Sequence, residues 1–217
     1  MFQSEPSIFE FKGPFGVPVQ IGGSIIFLAL IFILPIGGSG EFVDSLIFFG
    51  LVILAIFLHE FGHAWGTLVQ GHDVKRVMIF GGGGFCERWQ AVPPRHEEFI
   101  VAMGPIVNLA LWAICGLSYD FFDGDVRRWV WLFGQINIFL FFLNMIPVQP
   151  LDGGKLFALG LMRFVGRETA TRIAGWVGVV FAILWIPAMI WCYVQLGFLL
   201  LFMPSITMHW RMARGTS

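Results

Sequence analysis

The chain has 217 residues, of which 57% are hydrophobic and only 12% charged, and its mean hydropathy is +0.80. Soluble domains carry about 25% charged residues, so the composition excludes an ordinary soluble domain and indicates a polytopic membrane protein. A net charge of −1 gives no case for nucleic-acid binding. The three cysteines, Cys86, Cys115 and Cys192, are too sparse for a disulfide framework.

In chain order, MFQSEPSIFEFKGPFG lacks a basic start followed by an apolar run, so no cleavable signal peptide is expected. FKGPFGVPVQI is rich in Gly, Pro and Val and reads as short strands and turns. A spanning helix needs about 20 mostly apolar residues. Candidate spans are 22–36, 42–69, 98–119 and 129–146, with a fifth and a sixth sharing 172–203 and dividing near Pro187. Between the second and third spans, DVKRVMIFGGGGFCERWQAVPP again reads as strands and turns. GGGG at 81–84 lacks the Lys-Ser/Thr of a phosphate loop and reads as a flexible turn. The fourth span breaks at PVQPLDGG and resumes as KLFALGLMRFV.

The expected fold is an all-α polytopic membrane protein. It has about six transmembrane helices, a broken fourth helix, and a small membrane-associated β-sheet on the cytoplasmic side. Charge supports this orientation. With both termini cytoplasmic, that side receives Lys12, Lys75, Arg76, Arg88, Arg95 and the arginines from 163 to 214. The other side receives Arg127 and Arg128 with Glu41, Asp44, Asp120, Asp123 and Asp125, as the positive-inside rule requires. Trp129, Trp131 and Trp210 fall near helix ends, where amphipathic rings prefer the interface.

An ionisable group in the bilayer core costs a few kcal/mol or more and is a functional candidate by default. His59, Glu60, His63 and Asp152 fall there, with Lys155 close by. Residues four apart share a helix face, so His59 and His63 of HEFGH present two imidazoles to one point. That is two corners of a zinc site. Glu60, about 100° around the helix, can reach a water bound there. A zinc site needs a third protein ligand. His72, His96 and His209 read as solvated or interfacial. Asp152 is the better candidate, because Pro147, Pro150, Gly153 and Gly154 break the backbone around it. Broken backbone within a membrane lines a cavity or is buried by protein.

HEFGH, PRHEEFIVAMGPIVNLAL and NMIPVQPLDGG, in that order, resemble the site-2 protease family of intramembrane zinc metalloproteases over roughly 17–167. The resemblance implies one Zn²⁺ per chain, bound by His59, His63 and Asp152. It implies Glu60 as general base, and Asn144 as an active-site amide that contacts the substrate backbone or the developing oxyanion. Gly104, Pro105 and Asn108 are assigned to helix packing. The implied partners are a transmembrane protein substrate and the lipid bilayer, with room for a regulatory membrane partner. The implied location is a bacterial or archaeal cell membrane, with the active site toward the cytoplasm. Neither a PDZ module nor nucleotide-sensing domains fit, so the chain looks like a minimal core. It is read as one metalloprotease domain, 1–217, comprising an N-terminal strand region (1–21), a catalytic core (22–167) and C-terminal helices and tail (168–217). A strand near Val77–Phe80 is expected at a sheet edge, free to capture an unwound substrate by strand addition.

Other classes compete. A membrane zinc-binding or transport protein, or a catalytically silent scaffold, would use the same ligands without needing Glu60. A serine protease would need a histidine paired with Ser39, and none is evident. An aspartyl protease would need a second membrane aspartate.

Overall fold

Four helices in the computed structural model, which describes residues 5–33, 39–196 and 202–215, are long and apolar enough to cross a membrane. These are the segments Phe42–Val69, Pro94–Phe121, Gly124–Asn144 and Arg167–Trp191. They fall in α2 (Ser39–Val69), α3 (Pro94–Ser118), α4 (Gly124–Asn144) and α6 (Arg167–Leu196). Shorter helices are α1 (Ser24–Ile33), α5 (Asp152–Leu161) and α7 (Ile206–Arg214). The chain forms two compact units, Met1–Phe141 and Phe142–Ser217.

The first unit contains the expected sheet. Its strands are β1 (Ser7–Lys12), β2 (Pro18–Gly22), β3 (Val74–Phe80) and β4 (Gly83–Arg88), in the order β1-β2-β3-β4. β1 runs antiparallel to β2, β2 parallel to β3, and β3 antiparallel to β4. This corrects one expectation. Val77–Phe80 is not an edge, because β3 is paired on both sides. Its VMIF run is buried throughout, as suits an interior strand covered on both faces. Among the described residues the edge strands are β1 and β4.

The glycine run between β3 and β4 has a steric reason. Gly81 donates its N–H to Ser24 Oγ at 2.8 Å. A Cβ there would lie 2.5 Å from the Ser24 carbonyl oxygen. Gly81 and Gly82 make the turn, and Gly83 and Gly84 already belong to the strand.

The sheet rests on α2. Val17, Val19, Val77 and Ile79 form one buried cluster with Phe61 and Ala64. Those two residues lie in and directly after the HEFGH turn, so the sheet braces the part of α2 that carries the histidines. On another face α2 meets α3 closely. A Cβ on Gly62 would lie 2.6 Å from the Met103 carbonyl oxygen, and one on Gly66 3.2 Å from Ile100 Cα. Small residues let membrane helices approach in this way. Arg128, in the first turns of α4, pairs with Asp44 of α2 at 2.7 Å. Both belong to the set that the charge pattern assigns to one side of the membrane.

In the second unit the chain breaks after Asn144 and resumes at Asp152, the first residue of α5. Gly154 lies so close to the preceding loop that a Cβ would stand 2.6 Å from Gln149 N. The Gln149–Pro150 peptide is cis. The expected division at Pro187 is absent, because α6 is one helix of 30 residues with Pro187 inside it. The remainder of the sixth expected span runs into 197–201, outside the described residues. α5, α6 and α7 share a small core of Ala158, Ala174 and Met212. His209 of α7 is 1% exposed, not solvated as the sequence suggests. It is packed against α6 at Gly178, where a Cβ would overlap the imidazole.

Candidate metal centre

His59, Glu60 and His63 occupy consecutive turns of α2 and are all buried. The outer nitrogen of each imidazole is held by α3. Asn108 Nδ2 donates to Asn137 Oδ1 at 2.8 Å, so Asn108 Oδ1 is the atom left to accept from His59 Nδ1–H. Asn137 Nδ2 in turn donates to the Phe133 carbonyl at 2.8 Å. His63 Nδ1–H donates to the Ile100 carbonyl at 2.9 Å. Thr67 Oγ1 donates to the His63 carbonyl at 2.8 Å, one turn on.

These bonds fix the tautomers. With a proton on each Nδ1, both Nε2 atoms carry lone pairs. The two Nε2 atoms lie only 3.1 Å apart. A hydrogen bond between them would need an additional proton on the pair, whereas one metal ion accepts both lone pairs. Both rings pack against Gly104, which has no side chain to displace them. A Cβ at that position would lie 2.5 Å from His63 Nε2 and 2.7 Å from His59 Nε2. The outer hydrogen bonds are of the kind that orient metal-binding histidines.

Asp152 completes the donor set. His59, His63 and Asp152 are each buried and each offer one ligand atom, and these atoms lie within 4.8 Å of one another. Two imidazoles and a carboxylate suit a tetrahedral zinc site with one open position. Among the described residues this is the group of three that could hold an ion. His72 and His96 do not join it. They bond to each other, with Nε2 of His72 2.8 Å from Nδ1 of His96.

Glu60, one residue on from His59, faces β4. A Cβ on Gly84 would lie 2.9 Å from Glu60 Oε1, so the missing side chain leaves room for the carboxylate. Asn144 is half-buried at the C-terminal end of α4. Asn108, assigned to packing by sequence, also orients His59, and Asn137 behind it was not singled out at all. The one available signal was that each is an amide within an apolar helix, and spacing alone does not say which imidazole an amide meets.

Outside the membrane-spanning helices, Glu87 of β4 receives hydrogen bonds from Lys75 and Arg76 of β3, at 2.8 and 2.6 Å. The Lys75 bond is the largest cause that holds its carboxyl below the usual carboxylate range. Partial burial opposes it, and Arg76 adds to the lowering.

Residues 120–186 match the model of peptidase family M50. That segment contains Asn144 and Asp152, while His59 and His63 lie outside it. A zinc metalloprotease of Methanocaldococcus jannaschii is 27% identical over 166 residues, covering 75% of this chain and 48% of that protein. Stage IV sporulation protein FB of Bacillus subtilis is 28% identical over 128 residues, 56% of this chain and 43% of that protein. The chain thus spans less than half the length of these two relatives. The solved site-2 protease from M. jannaschii shares the fold, with a TM-score of 0.66 and 20% identity over 96% of this chain and 93% of that one.

Proposed function

We propose that the chain is an intramembrane zinc metalloprotease of peptidase family M50, the family of site-2 proteases. It hydrolyses peptide bonds within or next to the transmembrane segments of membrane-anchored proteins and releases a cytoplasmic fragment. The observation that carries this reading is the pair of buried Nε2 lone pairs on His59 and His63, 3.1 Å apart, with Glu60 buried beside them. His59, His63 and Asp152 would hold one zinc ion, which the chemistry of this donor set fits. Zinc bound there acts as a Lewis acid and makes water nucleophilic at neutral pH.

The rest of the chemistry belongs to the chain. Glu60 takes the proton of the attacking water and returns it to the leaving amine. Asn144 offers an amide N–H to the developing oxyanion or to the substrate backbone. Packing of α2 on α3 buries both imidazoles and keeps bulk water from them. The substrate must be unwound, because a helical peptide bond is shielded by its own hydrogen bonds. β4 is the natural place to hold it. It is an edge strand, and its Gly84 lies against Glu60. An extended substrate segment adds to β4 through main-chain hydrogen bonds.

Both termini in the cytoplasm and a cut nearer the cytoplasmic side complete the reading, in a single metalloprotease domain of residues 1–217 in a bacterial or archaeal cell membrane. The positive-inside charge pattern supports that orientation. The test compares wild type with Glu60→Gln, purified in detergent, by zinc per chain and by cleavage of a membrane-anchored model substrate. About one zinc in both, with cleavage only by wild type, is expected. Zinc in both without cleavage in either would favour transport or scaffolding. No zinc in either would remove the metal site.

A further inference from the structure

The segment ahead of Asp152 is poor in backbone donors. Pro147 and Pro150 have no N–H. Val148 N–H reaches the Ile146 carbonyl at 2.7 Å, and Leu151 N–H reaches the Val148 carbonyl at 3.0 Å. Gln149 N–H, between the two prolines, donates at 3.0 Å to an imidazole 60 residues further along, His209 Nε2. His209 Nδ1 lies 2.8 Å from the Ser205 carbonyl. A backbone N–H can only donate and a carbonyl can only accept. His209 is therefore neutral, with its proton on Nδ1 and its Nε2 lone pair on Gln149. Both ring nitrogens are engaged, and the side chain is 1% exposed.

The neighbouring helix is shaped for this ring. Gly178 of α6 leaves the space the imidazole fills, and a Cβ on Gly175 would lie 2.8 Å from Ala213 Cα. Two glycines one turn apart thus let α7 lie directly on α6. Ser205, whose carbonyl takes the Nδ1 proton, is also the N-cap of α7 and accepts from Met208 N–H. The imidazole is fixed from the α7 side and acts on the loop side.

We propose that His209 is a positioning residue for the metal centre. It clasps the PVQP segment at Gln149, so that α5 begins where it does and Asp152 presents its carboxylate at a fixed place. This rests on the reading of Asp152 as a zinc ligand. His209 touches neither metal nor substrate on this account and acts through three residues of backbone. α7 thereby becomes part of the catalytic apparatus, although its helix carries no reacting group.

The experiment uses the full chain in detergent with three variants. His209→Phe fills the space without an acceptor. His209→Gln places an amide oxygen near the Nε2 position. Gly178→Ala displaces the ring without altering it. Two readouts are taken: hydrogen–deuterium exchange of peptides covering 145–155, and the rate of zinc loss to a chelator. In His209→Phe and Gly178→Ala, the 145–155 peptides should exchange faster and zinc should be lost about ten-fold faster or more, the size seen when residues supporting metal ligands are removed. His209→Gln should recover most of both, which a merely space-filling role would not produce. If His209→Phe does not accumulate, Gly178→Ala carries the comparison. Wild-type exchange and zinc retention in Gly178→Ala and His209→Phe would overturn the proposal. A wild type without zinc would sink the protease reading, and the exchange comparison would still decide whether His209 holds the segment.

Discussion

Asn108 Oδ1 accepts a hydrogen bond from His59 Nδ1–H across the α2–α3 interface at 2.5 Å. Asn108 is itself fixed by Asn137, so the imidazole is held by a short chain of amides through three helices. Both asparagines are 0% exposed. The arrangement assigns the His59 proton to Nδ1 and leaves Nε2 for a metal. Asn108→Leu should keep the helix but lose this orientation. Removing such a partner costs about 10- to 100-fold in metal affinity or activity. Zinc competition with a chelator measures it directly, and an unchanged affinity would show that the amide only packs.

The hairpin of β3 and β4 carries a charge cluster whose effect depends on pH. Glu87 is held below the usual carboxylate range, first by the Lys75 hydrogen bond and then by Arg76. A carboxyl lowered on folding stabilises the folded state above its unfolded pKa. That contribution is lost as the pH falls through its folded pKa. Glu87 is partly exposed, so its effect is roughly 0.2–1 kcal/mol. Glu87→Gln should therefore melt below wild type near neutral pH, and the difference should close at acid pH. Melting curves of both proteins across that range check the sign. A gap that widened in acid would contradict it.

The zinc-binding turn and the broken helix were legible in the sequence because the bilayer makes ionisable residues and paired prolines costly, so each stands out. The sheet was legible from clustered Gly, Pro and β-branched residues. Its order was not. VMIF has the same composition as an edge or as an interior strand, and the parallel pairing of Val19–Ile21 with Val77–Ile79 joins segments more than 50 residues apart. Pro187 misled for a related reason. Proline lowers the preference for helix, but a helix in an apolar setting can run through it. His209 was obscured because its burial depends on Gly178, 31 positions away. That relation follows from how α7 packs on α6 and not from local pattern.

Gly84 tests the link between sheet and chemistry. Its Cβ in Gly84→Ala would lie 2.6 Å from Glu60 Cγ, so the glutamate must move. A displacement of about 1 Å can cost on the order of 100-fold in rate. Cleavage should fall by at least about ten-fold, while zinc per chain stays as in wild type, because the three ligands are untouched. Loss of zinc together with activity would mean instead that β4 supports the ligand helix as a whole.

Gly104 gives the sharpest separation of fold from function. In an exposed helix, Gly→Ala is stabilising by about 1 kcal/mol, through backbone entropy. At Gly104 the added methyl would overlap both rings, 2.5 Å from His63 Nε2 and 2.7 Å from His59 Nε2. The imidazoles must move, and their two lone pairs no longer meet at one point. Gly104→Ala should thus accumulate with wild-type helix content in detergent and contain little or no zinc. Elemental analysis beside circular dichroism reads both quantities from one preparation. A folded Gly104→Ala that still binds one zinc per chain would show that the ion does not sit between these imidazoles. A variant that fails to fold would place Gly104 in α2–α3 packing, where Gly62 and Gly66 already lie against Met103.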